Sequence, residues 1–360
     1  MTKDKVIIVG LKNKQNESYY QESLEELKDL LSFAGAELKF IVTQNSNTIN
    51  PATLIGKGKI QEIKNLAEHL EANTILFLNH LTPTQFKNLE RELENYKVID
   101  RVALILDIFA QRAKTIEGKL QVELAQLNYL LPRTVGYGRM LSRLGGGIGT
   151  RGPGEKKLTT EKRKILKRIN HIKSKLKEVE KNRNIQRKNR LNSPYPIVSI
   201  VGYTNAGKST LFNALTKSKV AVDSRAFTTL DPKTQICYID KNLKILLTDT
   251  VGFVRNLPQE LLDAFQATFE ELIYSNLHIL IFDASNPNFK THIQETLKLL
   301  DEIGASSTPQ IKVFNKIDKI DKSILEKLKE KYPDFLLISA KTKQNLDLLK
   351  KRIKEVLQNG

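Results

Sequence analysis

The chain has 360 residues, is 40% hydrophobic and carries a formal net charge of +18 at pH 7. That length supports two or three domains with real cores. A single cysteine, Cys237, excludes an internal disulfide framework; the short apolar run near the N-terminus is too brief for a signal peptide, and no run approaches the roughly 18 apolar residues of a membrane span, so a soluble cytoplasmic protein is expected.

The first hundred residues alternate strand-like and helix-like segments. Val6–Val9 reads as a short buried strand, and Leu38–Val42, Thr74–Leu78 and Val98–Ile99 read as further strands. Between them, Leu24, Leu27, Leu31 and Ala34 follow helical spacing, and Lys59–Leu70 and Thr84–Leu93 are amphipathic. This alternation predicts a small α/β domain with a parallel sheet over residues 1–102.

Residues 103–191 read as a helical hairpin. A helical pattern runs from Ala103 to about Leu131 and is expected to end at Pro132. A glycine-dense loop follows, from Gly136 to Gly154. A long polar helix then resumes at Glu161 and runs to about Leu191. Its Ile165, Ile169, Ile172, Leu176 and Val179 form a narrow apolar seam, which Val122, Leu124, Leu127 and Leu130 would oppose. The charge is concentrated here. Residues 151–190 hold 16 Lys/Arg against 4 Asp/Glu, a net +12, which leaves +6 for the other 320 residues. A basic arm of this kind suits a polyanion such as RNA, although a solvated helix face is the simpler alternative.

Residues 192–196, Asn-Ser-Pro-Tyr-Pro, break the helix and act as a linker. Residues 197–360 again alternate strands and helices, and they carry the chemistry. Gly202-Tyr203-Thr204-Asn205-Ala206-Gly207-Lys208-Ser209 follows the apolar run Ile197–Val201 and opens a helical pattern. In that setting G-x-x-x-x-G-K-[ST] is a phosphate loop: backbone amides face the phosphates, Lys208 reaches the β/γ-phosphates, and the Ser209 hydroxyl can ligate Mg²⁺.

Four further stretches follow in the order a GTPase requires. Phe227-Thr228-Thr229-Leu230-Asp231 offers Thr229 to complete a Mg²⁺ shell. Asp249-Thr250-Val251-Gly252 follows an apolar strand; Asp249 would hold Mg²⁺ through water, and the Gly252 amide would contact the γ-phosphate. Asn315-Lys316-Ile317-Asp318 supplies a carboxylate that can accept from both N1–H and N2–H₂ of guanine, a donor pair that adenine lacks. Ser339-Ala340-Lys341 suits a backbone contact to guanine O6. Each piece alone is weak. All of them in order, each after its own strand, predict a Ras-like GTP-binding domain with a mostly parallel sheet, in which Lys208, Thr229 and Gly252 serve hydrolysis. Phe253 stands where many GTPases place a water-orienting Gln, so slow intrinsic hydrolysis is expected. Asn205 either assists through K⁺ or merely stabilises the loop.

The chain also resembles HflX-type GTPases. The residues that carry the resemblance are Leu54–Glu62, Asp107–Ala113, Leu120–Leu127, Leu130–Arg133, Gly146–Glu155, Phe227–Pro232 and the run from Asp249 to Phe253, so that it covers nearly the whole chain. It implies a ribosome-associated GTPase that binds the large subunit and dissociates or rescues stalled ribosomes under stress. It places the 133–155 loop against rRNA, with Arg133, Arg139, Arg143, Arg151, Lys156 and Lys157 as candidate contacts. Lys156-Lys157-Leu158-Thr159 departs from the family's usual continuation of this loop, no Trp is present, and the extra C-terminal domain of some members is not expected. Gly56-Lys57-Gly58-Lys59 lacks the Ser/Thr of a full phosphate loop and is read as an RNA or interdomain contact. Expected partners are GTP or GDP and the large ribosomal subunit, with a monomer when free. The alternatives are a GTP-gated RNA-binding switch in subunit assembly and an NTP-dependent RNA remodeller.

Overall fold

A computed structural model describes residues 3–134, 162–179, 194–216, 233–250, 252–253, 269 and 272–359. The chain divides into two compact units. One takes in Met1–Gln111 and Lys119–Val179, the other Arg112–Gly118 and Glu180–Gly360.

The first unit is built on four parallel strands in the order β2-β1-β3-β4: β1 Lys5–Lys12, β2 Glu37–Asn45, β3 Thr74–Phe77 and β4 Lys97–Asp100. Helices α1 (Glu17–Phe33), α2 (Lys57–His69) and α3 (Pro83–Glu92) connect them. Successive strand residues point to opposite faces. Ile7, Val9 and Leu11 join Ile60, Ile63, Phe77, Leu89 and Val98 in one core cluster. Val6 and Ile8, on the opposite face, are also fully buried. Both faces are covered at the central strand β1, as in a parallel sheet, whereas the edge strand β2 leaves Leu38 and Phe40 exposed. α3 starts with a capping box, in which Thr82 accepts from the Gln85 amide and the Gln85 side chain accepts from the Thr82 amide.

The single helix expected from Ala103 to Leu131 is two helices, α4 (Arg101–Arg112) and α5 (Ile116–Thr134). The break has a local cause. Thr115 Oγ1 accepts from the Gly118 amide at 2.9 Å, which starts a new helix at an N-cap. Pro132 lies inside the last turn of α5 and does not end it. Helix α6, residues 162–179, packs on α5. Ile169 and Ile172 bury against Leu120 and Leu124, with Leu127, Leu131, Ile165 and Leu176 around them. Two expected partners behave differently. Val122 is buried outside this seam, and Leu130 is 44% exposed. Arg168 forks onto both Glu123 oxygens at 2.6 and 2.8 Å across the pair.

The second unit is a six-stranded sheet in the order β10-β9-β8-β5-β7-β6, with β5 Ile197–Gly202, β6 Lys233–Tyr238, β7 Lys244–Asp249, β8 Leu277–Asp283, β9 Gln310–Asn315 and β10 Leu336–Leu337. Only β6 runs antiparallel to its neighbour. Among the described residues its α-helices include α7 (Lys208–Thr216), α8 (Phe289–Glu302), α9 (Lys322–Lys331) and α10 (Leu346–Asn359). Strand β5 lies between β7 and β8, so strand order reverses there and a crevice opens at its carboxyl end. Among the described residues no helix is long and apolar enough to cross a membrane.

Candidate active site

The sheet delivers every described motif to the same edge. β5 ends at Gly202 and passes through the 203–207 loop into α7 at Lys208. β7 ends at Asp249, β9 at Asn315, and β10 precedes Ser339.

The loop needs its glycines. At Gly207 φ is +98°, and an added Cβ would lie 2.3 Å from Asn315 Nδ2. Asn205, at the exposed tip, takes a left-handed φ of 61°, which Asn tolerates better than most residues. Lys208 is 7% exposed, and its Nζ donates to the Tyr203 carbonyl at 2.6 Å. Burial holds its pKa down at about 8; Asp249 pulls it up, and Lys316 pushes it further down. A cation held this dry is poised for an anionic partner, because phosphate oxygens would restore its charge.

Ser209 and Asp249 meet beside it. The Ser209 hydroxyl donates to Asp249 Oδ2 at 2.8 Å, and Asp249 is 1% exposed. A hydroxyl and a carboxylate oxygen within hydrogen-bond distance are the donor types Mg²⁺ prefers, so the pair fits that ion. Thr250, the next residue, donates its hydroxyl to the Ile200 carbonyl at 2.6 Å and so ties the start of this segment to β5.

Gly252 and Phe253 run alongside the phosphate loop. The Phe253 amide donates to the Gly202 carbonyl at 3.1 Å, and the Thr204 amide donates to the Phe253 carbonyl at 2.7 Å. A Cβ on Gly252 would sit 2.9 Å from Lys208 Nζ. The Phe253 side chain is 2% exposed and packs towards Phe269, with ring centroids 6.1 Å apart. It offers no polar atom to a water.

The base-reading side is assembled by hydrogen bonds between loops. Asn315 Nδ2 donates to the Ala206 carbonyl at 2.9 Å, while its Oδ1 accepts from the Ala340 amide at 2.9 Å. One side chain therefore locks the phosphate loop to the Ser339–Lys341 segment. Ser339 donates to Asp318 Oδ1 at 2.6 Å, which aims an otherwise exposed carboxylate. Lys316 takes a left-handed φ of 65° and pairs with Asp283 at 2.7 Å. Asp283 is absent from the motifs read in the sequence. Its signal is positional, since it ends β8 at the carboxyl edge of the sheet.

Several expected site residues lie outside the described residues: Phe227, Thr228, Thr229, Leu230, Asp231, Val251, Arg139, Arg143, Arg151, Lys156 and Lys157. Arg133 is described, and it corrects the sequence reading. It is 5% exposed, stacks 3.5 Å over the Tyr129 ring, donates to the carbonyls of Tyr129 and Leu81, and lies 3.6 Å from Asp100. A guanidinium consumed in this way is a clamp inside the first unit, unsuited to contacting RNA.

A phosphate loop, a carboxylate beside its Ser, and an aimed Asp318, all at the carboxyl edge of one mostly parallel sheet, define a P-loop GTPase. The chain is 47% identical over 355 residues to the GTPase HflX of Caldanaerobacter subterraneus subsp. tengcongensis, covering 99% of this chain and 81% of that protein. It is 42% identical over 323 residues to the GTPase HflX of Escherichia coli, covering 89% and 76%. The chain belongs to the HflX GTPase family and is a GTP hydrolase that binds guanine nucleotides. Three family descriptions match it in succession: GTP-binding GTPase N-terminal over residues 21–110, GTP-binding GTPase middle region over 112–190, and 50S ribosome-binding GTPase over 197–316. Among solved structures, that of SsGBP in complex with GDP matches with a TM-score of 0.54 at 30% identity, covering 99% of both chains.

Proposed function

We propose that this GTPase binds the large ribosomal subunit, has a slow basal rate that the subunit raises, and uses the cycle to dissociate or rescue stalled ribosomes under stress in the cytoplasm. One observation carries the need for a partner. Phe253, the residue after Gly252, is buried and apolar, so no side chain at that position orients the attacking water. The ribosome is favoured as the partner by the 50S ribosome-binding description that matches residues 197–316 and by the +12 of residues 151–190.

Mg²⁺ would be held by Ser209 and Thr229 directly and by Asp249 through water, where it neutralises charge developing on the phosphate oxygens. The chain's own groups do the rest. The loop amides and Lys208 position the phosphates, and Asp318 selects guanine. K⁺ is a second candidate ion, beside the exposed Asn205 at the loop tip. Arg139, Arg143, Arg151, Lys156 and Lys157 would contact rRNA phosphates, and the free protein would be a monomer.

The test is sedimentation with purified large subunits. The GTP-loaded form should pellet with them, less so as salt rises, and Lys156→Glu/Lys157→Glu should weaken the interaction while GTP binding persists. Equal recovery of the double variant would remove these residues from the interface. Recovery with a precursor particle alone would favour the assembly switch.

A further inference from the structure

Tyr203 is the second residue of the phosphate loop, and phosphate recognition by backbone amides does not need its side chain. The residue is nevertheless 5% exposed, and its backbone and side chain each make two contacts. Its carbonyl receives the Lys208 ammonium at 2.6 Å. Its backbone lies opposite Phe253, bridged by the hydrogen bonds of Gly202 and Thr204 on either side. Its ring stacks on His292 with centroids 3.9 Å apart and planes 11° from parallel, and its hydroxyl donates to Glu295. His292 and Glu295 are three residues apart on α8, hence on one face of that helix. Nothing in the GTPase motifs involves α8.

We infer that His292 and Glu295 are positioning residues for GTP hydrolysis. They act through Tyr203. The stack and the hydrogen bond fix the ring at both its face and its tip, which leaves the loop backbone little freedom to rotate. The carbonyl that aims Lys208 is part of that backbone, and so is the strand edge on which Gly252 and Phe253 rest. Both of those groups serve the terminal phosphate, the part of the nucleotide that reacts. The amides from Asn205 to Ser209 lie beyond the anchored residue, and Asn315 holds them independently through the Ala206 carbonyl. Loosening Tyr203 therefore misaligns the γ-phosphate side and leaves the rest of the cradle intact. A 1 Å misplacement is enough to slow a positioned reaction severely.

The test is basal single-turnover and steady-state GTP hydrolysis by the full chain, without ribosomes, so that its outcome is independent of the proposed partner. His292→Ala and Glu295→Gln should each lower kcat about tenfold, with KM and GDP affinity within about twofold. His292→Phe keeps a flat ring and should restore most of the rate. The double variant Tyr203→Ala/His292→Ala should be no slower than Tyr203→Ala alone, because both changes break one contact. Glu295→Gln is nearly isosteric and carries the test should His292→Ala fold poorly. Unchanged kcat in folded Glu295→Gln and His292→Ala, or a loss carried entirely by KM and GDP affinity, would overturn the inference.

Discussion

At the residue scale the active site is a set of conflicts settled by anticipated ligands. Lys208 is the clearest. Its side chain titrates at about 8 in the fold against an ordinary 10.5. Between these values the unfolded chain binds more protons than the folded one, so the stability of the nucleotide-free protein rises with pH through that window. Below about pH 8 the buried charge costs stability in full. Lys208→Met should therefore raise the melting temperature of the nucleotide-free protein at pH 7 by roughly 3 °C or more. It should also abolish the rise in stability between pH 8 and 10.5, and remove stabilisation by GDP. Thermal unfolding with and without GDP checks all three, and a lower melting temperature without nucleotide would contradict them. Asp318 has the opposite character, exposed and aimed by Ser339. Asp318→Asn replaces a charged acceptor for two donors. Guanine affinity should fall on the order of a hundredfold, about 3 kcal/mol, as read by calorimetry, with fold stability unchanged. These residues were legible in the sequence because backbone chemistry fixes their spacing. Asp283, His292 and Glu295 were not, because they reach the site through strand order and helix packing.

At the scale of elements, the buried cluster around Asp100 ties α5 to the sheet edge of the first unit. Asp100 is fully buried and accepts from the amides of Leu81 and Ala103 and from the Tyr129 hydroxyl, with His80 and Arg133 close by. Burial alone would push its pKa up, but the hydrogen bonds from His80, Ala103, Leu81 and Tyr129 outweigh it, and the carboxyl sits below its ordinary 3.8. A depressed carboxyl contributes stability above its unfolded pKa and loses it as pH falls through the folded one. This contribution should be intact at neutral pH and disappear on acidification below about pH 4. Asp100→Asn should destabilise the first unit by about 3 kcal/mol, since Arg133 is left buried without its counter-charge. Urea unfolding followed by circular dichroism would show this, and a change under 1 kcal/mol would contradict it. The alternation of strands and helices was readable in this unit because both periods are regular and the apolar runs of β1 and β3 are short and wholly buried. The break between α4 and α5 was not, because it is made by one Thr115 cap without an intervening Gly or Pro. Leu130 misled for a related reason, as its apolar character matched the seam while its turn of the helix faces outward.

At the scale of the whole molecule, the charge of +18 and the missing polar residue after Gly252 belong to one account. In the proposed account, a partner completes the hydrolytic site, and a polyanion would be drawn to the 151–190 segment, which is far more basic than the rest. Relatives align over nearly the full length of the chain, and the middle-region family description covers residues 112–190, so the basic segment lies within the matched region. The most direct measurement is GTP turnover by the purified protein with and without large ribosomal subunits, across a series of salt concentrations. A low basal rate that rises many-fold with the subunit and falls back as salt increases is the predicted result. A basal rate unchanged by the subunit at every salt concentration would contradict the claim that the ribosome completes this active site.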